Sequence, residues 1–269
     1  MTNEQTGNEN EQETSYRVLA IHAHPDDIEF QCAGTLALLN AQGHHITMVT
    51  MTAGDCGSRD LSPEAIAKVR RQEAKSAADM LDAHYECLEF HDLSIVVDNE
   101  SKRRVAEAIR RARPDIVFTA PPADYMEDHE ATSRLVREAC FSASCPNYAT
   151  RQWEPAPATE KIPILYYVDP LDAMDLWGNQ IEPHFYIDIQ EVFEKKKEML
   201  ACHESQRAWL RAQHGVDEYL EMLERFGKDR GEEVGLPYAE AFRQHLGHPY
   251  PHNDLLKTLL SSHYYTKKK

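Results

Sequence analysis

The chain has 269 residues, with 45 acidic against 29 basic side chains and a formal net charge of −16. That balance disfavours nucleic acid or an anionic membrane as a partner, since both reward a basic face. The apolar fraction of 42% is enough for a full core without disulfides or metals as staples, and no run of about eighteen apolar residues suggests a transmembrane helix.

The opening MTNEQTGNENEQETS is polar and acidic, with neither the basic nor the apolar region of a signal peptide. It reads as a disordered tail over residues 1–15. The six cysteines (Cys32, Cys56, Cys87, Cys140, Cys145 and Cys202) form no CxxC pair, so free thiols in a reducing cytoplasm are expected. YRVLAIHAH reads as a first strand and QCAGTLALLNAQG as a helix stopped by Gly43. His44 and His45 follow that stop and are expected to be exposed. HITMVTMT, rich in Val, Ile and Thr, reads as a second strand. Ser62 and Pro63 open a long helix through EAIAKVRRQEAKSAADMLDA, with the serine as cap and the proline in the first turn.

YECLEF reads as the third strand, and SKRRVAEAIRRA as a helix stopped at Arg113 by the proline that follows. DIVFTA is the fourth strand, HEATSRLVREACFSA the next helix, PILYYVD a fifth strand and HFYIDI a sixth. This alternation predicts an α/β protein: right-handed crossovers, a largely parallel sheet and helices on both faces, in three layers. Residues 16–190 are assigned to that catalytic unit. Residues 191–269 read as a mostly helical extension packed on it, built from EVFEKKKEMLACHESQRAWLRAQ, VDEYLEMLERFG and YAEAFRQHL. In the first of these, Phe193, Met199, Leu200 and Trp209 fall on helical spacing.

The unusual residues fall just past the strands. His24, Asp26 and Asp27 follow the first, Asp55 the second, Asp92 the third, and Asp124, Asp128 and His129 the fourth. In open parallel sheets the binding crevice lies outside the carboxyl ends of the strands. A nucleotide is a poor occupant: GxGxxG and GxxxxGK[ST] are both absent, and adjacent carboxylates stand where a pyrophosphate needs bare amides. A divalent cation offsets that repulsion. One histidine, a carboxylate three residues on and a distant histidine make a three-ligand set of the catalytic zinc type. On that logic His24, Asp27 and His129 bind one zinc ion, and Asp26 stands free as a general base. The spacing alone also allows His24 or Asp27 to cap the following helix. His22, two residues before His24 on the same strand face, reads as a core or supporting histidine.

AHPDD at the end of a first strand, followed by Gly-Thr-Leu in the next helix, resembles the LmbE-like (PIG-L) family of N-deacetylases. The likeness continues through TAGDCGS, RRQEAKSAADML, ADYMEDHEAT and KKKEMLACHESQ, over about residues 17 to 206. The resemblance implies a Rossmann-like fold, zinc at His24, Asp27 and His129, and Asp26 as base. It implies a small N-acyl sugar-like substrate, N-acetylglucosamine-containing in most members. Arg70 and Asp92 fall where members contact sugar hydroxyls, although a surface helix arginine and a turn aspartate are the plain alternatives. Asp55 stands where the family often has Glu, and otherwise reads as a cap on the Gly57–Ser58 turn.

This chain departs from the family at Met126, which replaces the first histidine of His-Pro-Asp-His. A thioether neither donates to an oxyanion nor protonates a leaving amine. Tyr125 is the expected replacement donor, with His203 an alternative acid. The reading is therefore a cytoplasmic zinc hydrolase cleaving an N-acyl bond on an amino sugar or its conjugate. An amidase for a non-sugar N-acyl substrate, or a metal-binding protein that lost catalysis with the Met126 change, are the alternatives. A homo-oligomer is compatible with all three.

Overall fold

The computed structural model describes residues 15–208 and 218–267. Residues 1–14 of the acidic tail, Trp209 and the terminal lysines at 268 and 269 lie outside those residues. Among the described residues a single eight-stranded sheet runs in the order β3-β2-β1-β4-β5-β7-β6-β8. Its parallel half comprises β1 (Arg17–His22), β2 (His45–Thr52), β3 (His84–Phe90), β4 (Ile116–Thr119) and β5 (Ile164–Val168). β6 (Phe185–Asp188), β7 (Ala239–Gln244) and β8 (Tyr264–Tyr265) extend it through antiparallel pairs. β1 lies at the centre of the parallel half, which explains why Val18, Leu19, Ala20 and Ile21 are all buried rather than alternating. The fold is thus the α/β, largely parallel architecture that the strand and helix alternation predicts.

One face of the sheet packs on α1 (Asp27–Gln31), α2 (Ala33–Ala41) and α6 (Phe193–Ala201) through Ile28, Leu36, Leu39 and Met199. The other packs on α4 (Asn99–Ala112) and α5 (Glu127–Ala143) through Val105, Ile109, Leu135 and Val136. α3 (Pro63–Asp79) starts as its sequence predicts, with Ser62 Oγ accepting from Ala65 N at 3.3 Å. α4 ends at Arg113 in the left-handed region, one residue before Pro114. No helix among the described residues is long and apolar enough to cross a membrane.

Several elements differ from their sequence reading. The predicted helix QCAGTLALLNAQG forms as α2, and a separate short helix, α1, precedes it, divided from it at Cys32 (φ −145°). The long helix after residue 190 begins as a 3₁₀ turn, runs as α6, and is interrupted at Cys202–His203, where the His203 ring turns into the core. Residues 204–208 resume the helix. α7 (Glu218–Glu232) is the second C-terminal helix and α8 (Leu255–Leu259) a short third. His44 is buried, its ring edge-on to Tyr16 at 5.5 Å, whereas His45 is exposed as expected.

YAEAFRQHL, expected to be helical, is instead strand β7. Its Ala, Glu, Arg and Gln favour a helix locally, but the segment fills the slot between β5 and β6, where both edges need hydrogen-bond partners. Glu240 carries the reason for its own presence there. It accepts from Gly34 N (2.8 Å), Thr35 N (2.7 Å) and Thr35 Oγ1 (2.6 Å), capping α2 from across the fold. It also receives the buried Lys196 Nζ at 2.5 Å. Gly34 permits this approach, since a Cβ there would stand 2.8 Å from Ile189 Cγ2 and 3.0 Å from Glu240 Oε1.

Candidate metal centre

The loops after β1, β2, β3 and β4 converge at the carboxyl edge of the sheet. β1 ends at His22, and the chain turns so that α1 begins at Asp27. Asp26, just before α1, sits at φ 103° and ψ −28°, a conformation that non-glycine residues rarely adopt. The side chain of Asp27 bends back, and its Oδ2 accepts from His24 N at 2.8 Å. α5 supplies His129 and Asp128 from its first turn.

Three side chains meet. His24 Nδ1 lies 3.3 Å from His129 Nε2 and 3.5 Å from Asp27 Oδ2, and His129 Nε2 lies 3.4 Å from Asp27 Oδ1. One donor atom from each falls within 4.8 Å of the others, close enough to share one cation. The outward nitrogen of each ring faces a carboxylate. His129 Nδ1 is 3.0 Å from Asp124 Oδ1. His24 Nε2 is 3.2 Å from Asp128 Oδ2 with hydrogen-bond geometry, and Asp92 Oδ1 also approaches it to 2.9 Å. Imidazole ligands to a metal are commonly held this way, so the donor set and its supports fit a divalent transition metal.

The supports are themselves tied down. Asp128 accepts from Leu93 N at 2.7 Å and Ile95 N at 3.2 Å. Asp92 Oδ2 accepts from Cys56 N at 3.2 Å. Asp55 Oδ1 accepts from Asp92 N at 2.8 Å, which pins the loop after β3 to the loop after β2. Asp55 therefore fastens a loop instead of capping the Gly57–Ser58 turn. Asp92 is buried against His24, with 7% of its surface exposed.

Arg70 reaches the centre from α3, but as a buried group. Its Nη2 donates to Pro25 O at 2.7 Å and to Asp26 Oδ2 at 3.2 Å. Glycine is required at position 54, where φ is +65° and a Cβ would stand 2.2 Å from Arg70 Nη1. Tyr219 Oη, from the first turn of α7, donates to the same Asp26 Oδ2 at 2.5 Å. Sequence reasoning missed Tyr219. It stands four residues before Leu223 on an apolar stripe and reads as core, and nothing local ties it to a residue 193 positions earlier.

Tyr125 is exposed on the rim, its ring edge-on to that of His129 at 5.5 Å. Met126 occupies the cap position of α5. His203 is fully buried, with Nε2 3.3 Å from Glu29 Oε1. His22 is fully buried with neither ring nitrogen hydrogen-bonded, and burial pushes its pKa down to about 4, so it stays neutral. The motifs quoted from α3 and from residues 195–206 meet here as well. Glu73 accepts from Ser205 N (2.8 Å) and Ser205 Oγ (2.7 Å), and Gln206 Nε2 donates to Gly57 O at 3.1 Å.

Burial opposes the charged form of His129, but the charge of Asp27 and the hydrogen bond with Asp124 outweigh it and raise the pKa from 6.5 to about 10. Burial likewise opposes charge on His24, and Asp128, Asp27 and Asp92 raise its pKa well above the ordinary value. Burial also raises the pKa of Asp26, an effect that the Arg70 charge partly offsets. The His129 shift has a consequence for the metal-free protein. Its folded pKa exceeds the unfolded one, so the proton on His129 contributes stability that is fully present below about pH 6.5 and is lost as pH rises through about 10. Thermal melts of the metal-free protein should show Tm falling across that window, and falling less in His129→Gln. A Tm that is flat or rises from pH 6.5 to 10 in the wild type would contradict the pairing.

The fold and this centre define an α/β protein with a two-histidine, one-carboxylate donor set and a separate carboxylate beside it. Residues 19–140 match the PIG-L family, GlcNAc-PI de-N-acetylase. It is 28% identical over 198 residues to the diacetylchitobiose deacetylase of Thermococcus kodakarensis, covering 71% of this chain and 70% of that protein. It is 26% identical over 192 residues to the 4-oxalmesaconate hydratase of Pseudomonas putida, covering 68% and 71%. Among solved structures, the N,N'-diacetylchitobiose deacetylase of Pyrococcus horikoshii, in complex with its inhibitor MPG, superposes with a TM-score of 0.72. It is 25% identical, over 90% of this chain and 89% of that one.

Proposed function

We propose that this protein is a zinc-dependent hydrolase that removes an N-acyl group, N-acetyl first among them, from an amino sugar or its conjugate. A small-molecule substrate and residence in the cytoplasm belong to that reading. The observation that carries it is the convergence of one donor atom each from His24, Asp27 and His129 within 4.8 Å of one another, with the Asp26 carboxylate, next in the chain to Asp27, outside that set. Zinc held by these three residues would supply Lewis-acid chemistry for an amide carbonyl and a water.

The chain's own residues do the rest. His24 presents Nδ1 and His129 presents Nε2 to the centre, while Asp128 and Asp124 fix the opposite nitrogens as donors and so select the tautomers. Among the described residues Arg70 and Tyr219 both engage Asp26 Oδ2, so Oδ1 is the atom that accepts the proton of the attacking water. Asp26 then returns that proton to the nitrogen of the leaving amine as the C–N bond breaks, giving a carboxylic acid and a free amino group. Tyr125, on the rim beside His129, donates its hydroxyl proton in a hydrogen bond to the developing oxyanion, the role that Met126 lacks. In this reading Arg70 and Asp92 hold Asp26 and His24, and substrate hydroxyls are met by the exposed rim.

The test is an amine-release screen of zinc-loaded protein over N-acyl amino sugars, non-sugar N-acyl amines and unsaturated dicarboxylic acids. The proposal expects equal amounts of carboxylic acid and free amine from an N-acyl sugar. Amine release from non-sugar amides alone would restrict it to an amidase. Hydration of an alkene without amine release would overturn it in favour of chemistry like that for which the hydratase relative is named.

A further inference from the structure

We propose that Tyr219 is a positioning residue for Asp26, so that the C-terminal helix α7 acts on a centre whose donor set, His24, Asp27 and His129, lies before position 130. This rests on the reading of Asp26 as general base. Three observations carry it. The backbone of Asp26 sits at φ 103°, a strained conformation that only persists when its surroundings fix it. Its backbone is fastened by Phe30 N donating to Asp26 O at 3.0 Å. Among the described residues its side chain is fastened through Oδ2, by Arg70 Nη2 at 3.2 Å and by Tyr219 Oη at 2.5 Å.

Two donors converging from opposite elements on one carboxylate oxygen do more than neutralise it. They set the rotation of the carboxylate and leave Oδ1 clear of both donors. Arg70 alone constrains this less, because a single hydrogen bond of 3.2 Å links it to the carboxylate while the shorter bond of Nη2, 2.7 Å, goes to Pro25 O. Tyr219 is well placed to supply the missing constraint. It is buried, its ring is edge-on to Phe30 at 4.9 Å, and it packs with Leu200, Leu220 and Leu223. Phe30 belongs to α1, the helix that Asp26 and Asp27 begin, so packing and hydrogen bond act on the same segment. The hydroxyl reaches the carboxylate from a helix that lies outside residues 19–140, the part of the chain that matches the family.

Tyr219→Phe removes the donor and keeps the ring on Phe30. With N,N'-diacetylchitobiose as substrate and zinc-loaded protein, kcat should fall about tenfold or more, the scale of one hydrogen bond to a charged group. KM and zinc content should stay within about twofold of wild type. In an Asp26→Asn background the same change should cost nothing further, because Tyr219 acts only through Asp26. A crystal structure of Tyr219→Phe should show the Asp26 carboxylate rotated or in two orientations, a readout that needs no activity. Unchanged kcat, or the same fold loss in both backgrounds, or a single unaltered carboxylate orientation would overturn the assignment while leaving the base reading intact. Full turnover in Asp26→Asn alone would overturn both.

Discussion

Asp26→Asn is expected to lower kcat by about two to four orders of magnitude, the usual contribution of a positioned general base, with metal content close to wild type. The amide keeps the shape of the carboxylate and one oxygen for Arg70 and Tyr219, so the strained turn at φ 103° keeps its fastenings. It loses the ability to accept a proton. The electrostatics of the site make this loss severe. Burial raises the pKa of Asp26, which makes its carboxylate a stronger proton acceptor, and the Arg70 charge partly offsets that rise. Steady-state kinetics with metal analysis on the same preparation check the point. A variant that turns over at near wild-type rate with full metal would show that Asp26 is a structural carboxylate and that another group takes the proton.

The second large effect concerns the fold. Glu240→Ala should destabilise the protein by about 3–5 kcal/mol, the range for breaking a buried ion pair by removing one partner. Both members of the pair are nearly inaccessible, with side chains 3% and 2% exposed, so solvent screening is slight. The loss has two parts. Lys196 is left as a buried ammonium without its counter-ion, and Gly34 N, Thr35 N and Thr35 Oγ1 at the start of α2 lose their acceptor. Glu240→Gln, which keeps a neutral acceptor for α2, should cost less. Urea denaturation at fixed metal loading measures both. A loss below about 1 kcal/mol in Glu240→Ala would mean that water replaces the carboxylate and that the pair contributes little.

Glu240 also shows where the sequence stops being legible. The strands of the parallel half could be read because each is a short buried run of β-branched and aromatic residues closed by a turn signal, as in HITMVTMT and DIVFTA. β7 could not. Its helix-forming residues are selected by a tertiary slot between two strands and by a helix more than two hundred positions earlier, and neither leaves a periodic trace. The break at Cys202–His203 has the same origin, since the inward turn of His203 toward Glu29 is a long-range contact.

The centre divides in the same manner. His24, Asp26 and Asp27 are legible because polar groups closing a buried strand are costly unless something compensates them. His129 and Asp124 follow from their place after the fourth strand. Asp92 and Arg70 are visible as unusual residues, but their direction is not: both turn inward, onto His24 and Asp26. Tyr219 is invisible, because a tyrosine on an apolar helix stripe is ordinary until its hydroxyl is seen to have a partner.

His24, Asp27 and His129 are expected to hold one metal ion, and the hydrolytic chemistry depends on it. Metal content per chain, measured by inductively coupled plasma mass spectrometry after loading with zinc and exhaustive dialysis, tests it directly in the wild type, His129→Ala and His22→Ala. The donor set predicts about one zinc per chain in the wild type, a sharp loss in His129→Ala, and wild-type content in His22→Ala, whose neutral ring lies outside the set. Equal zinc in the wild type and His129→Ala, or equal loss in both histidine variants, would contradict it.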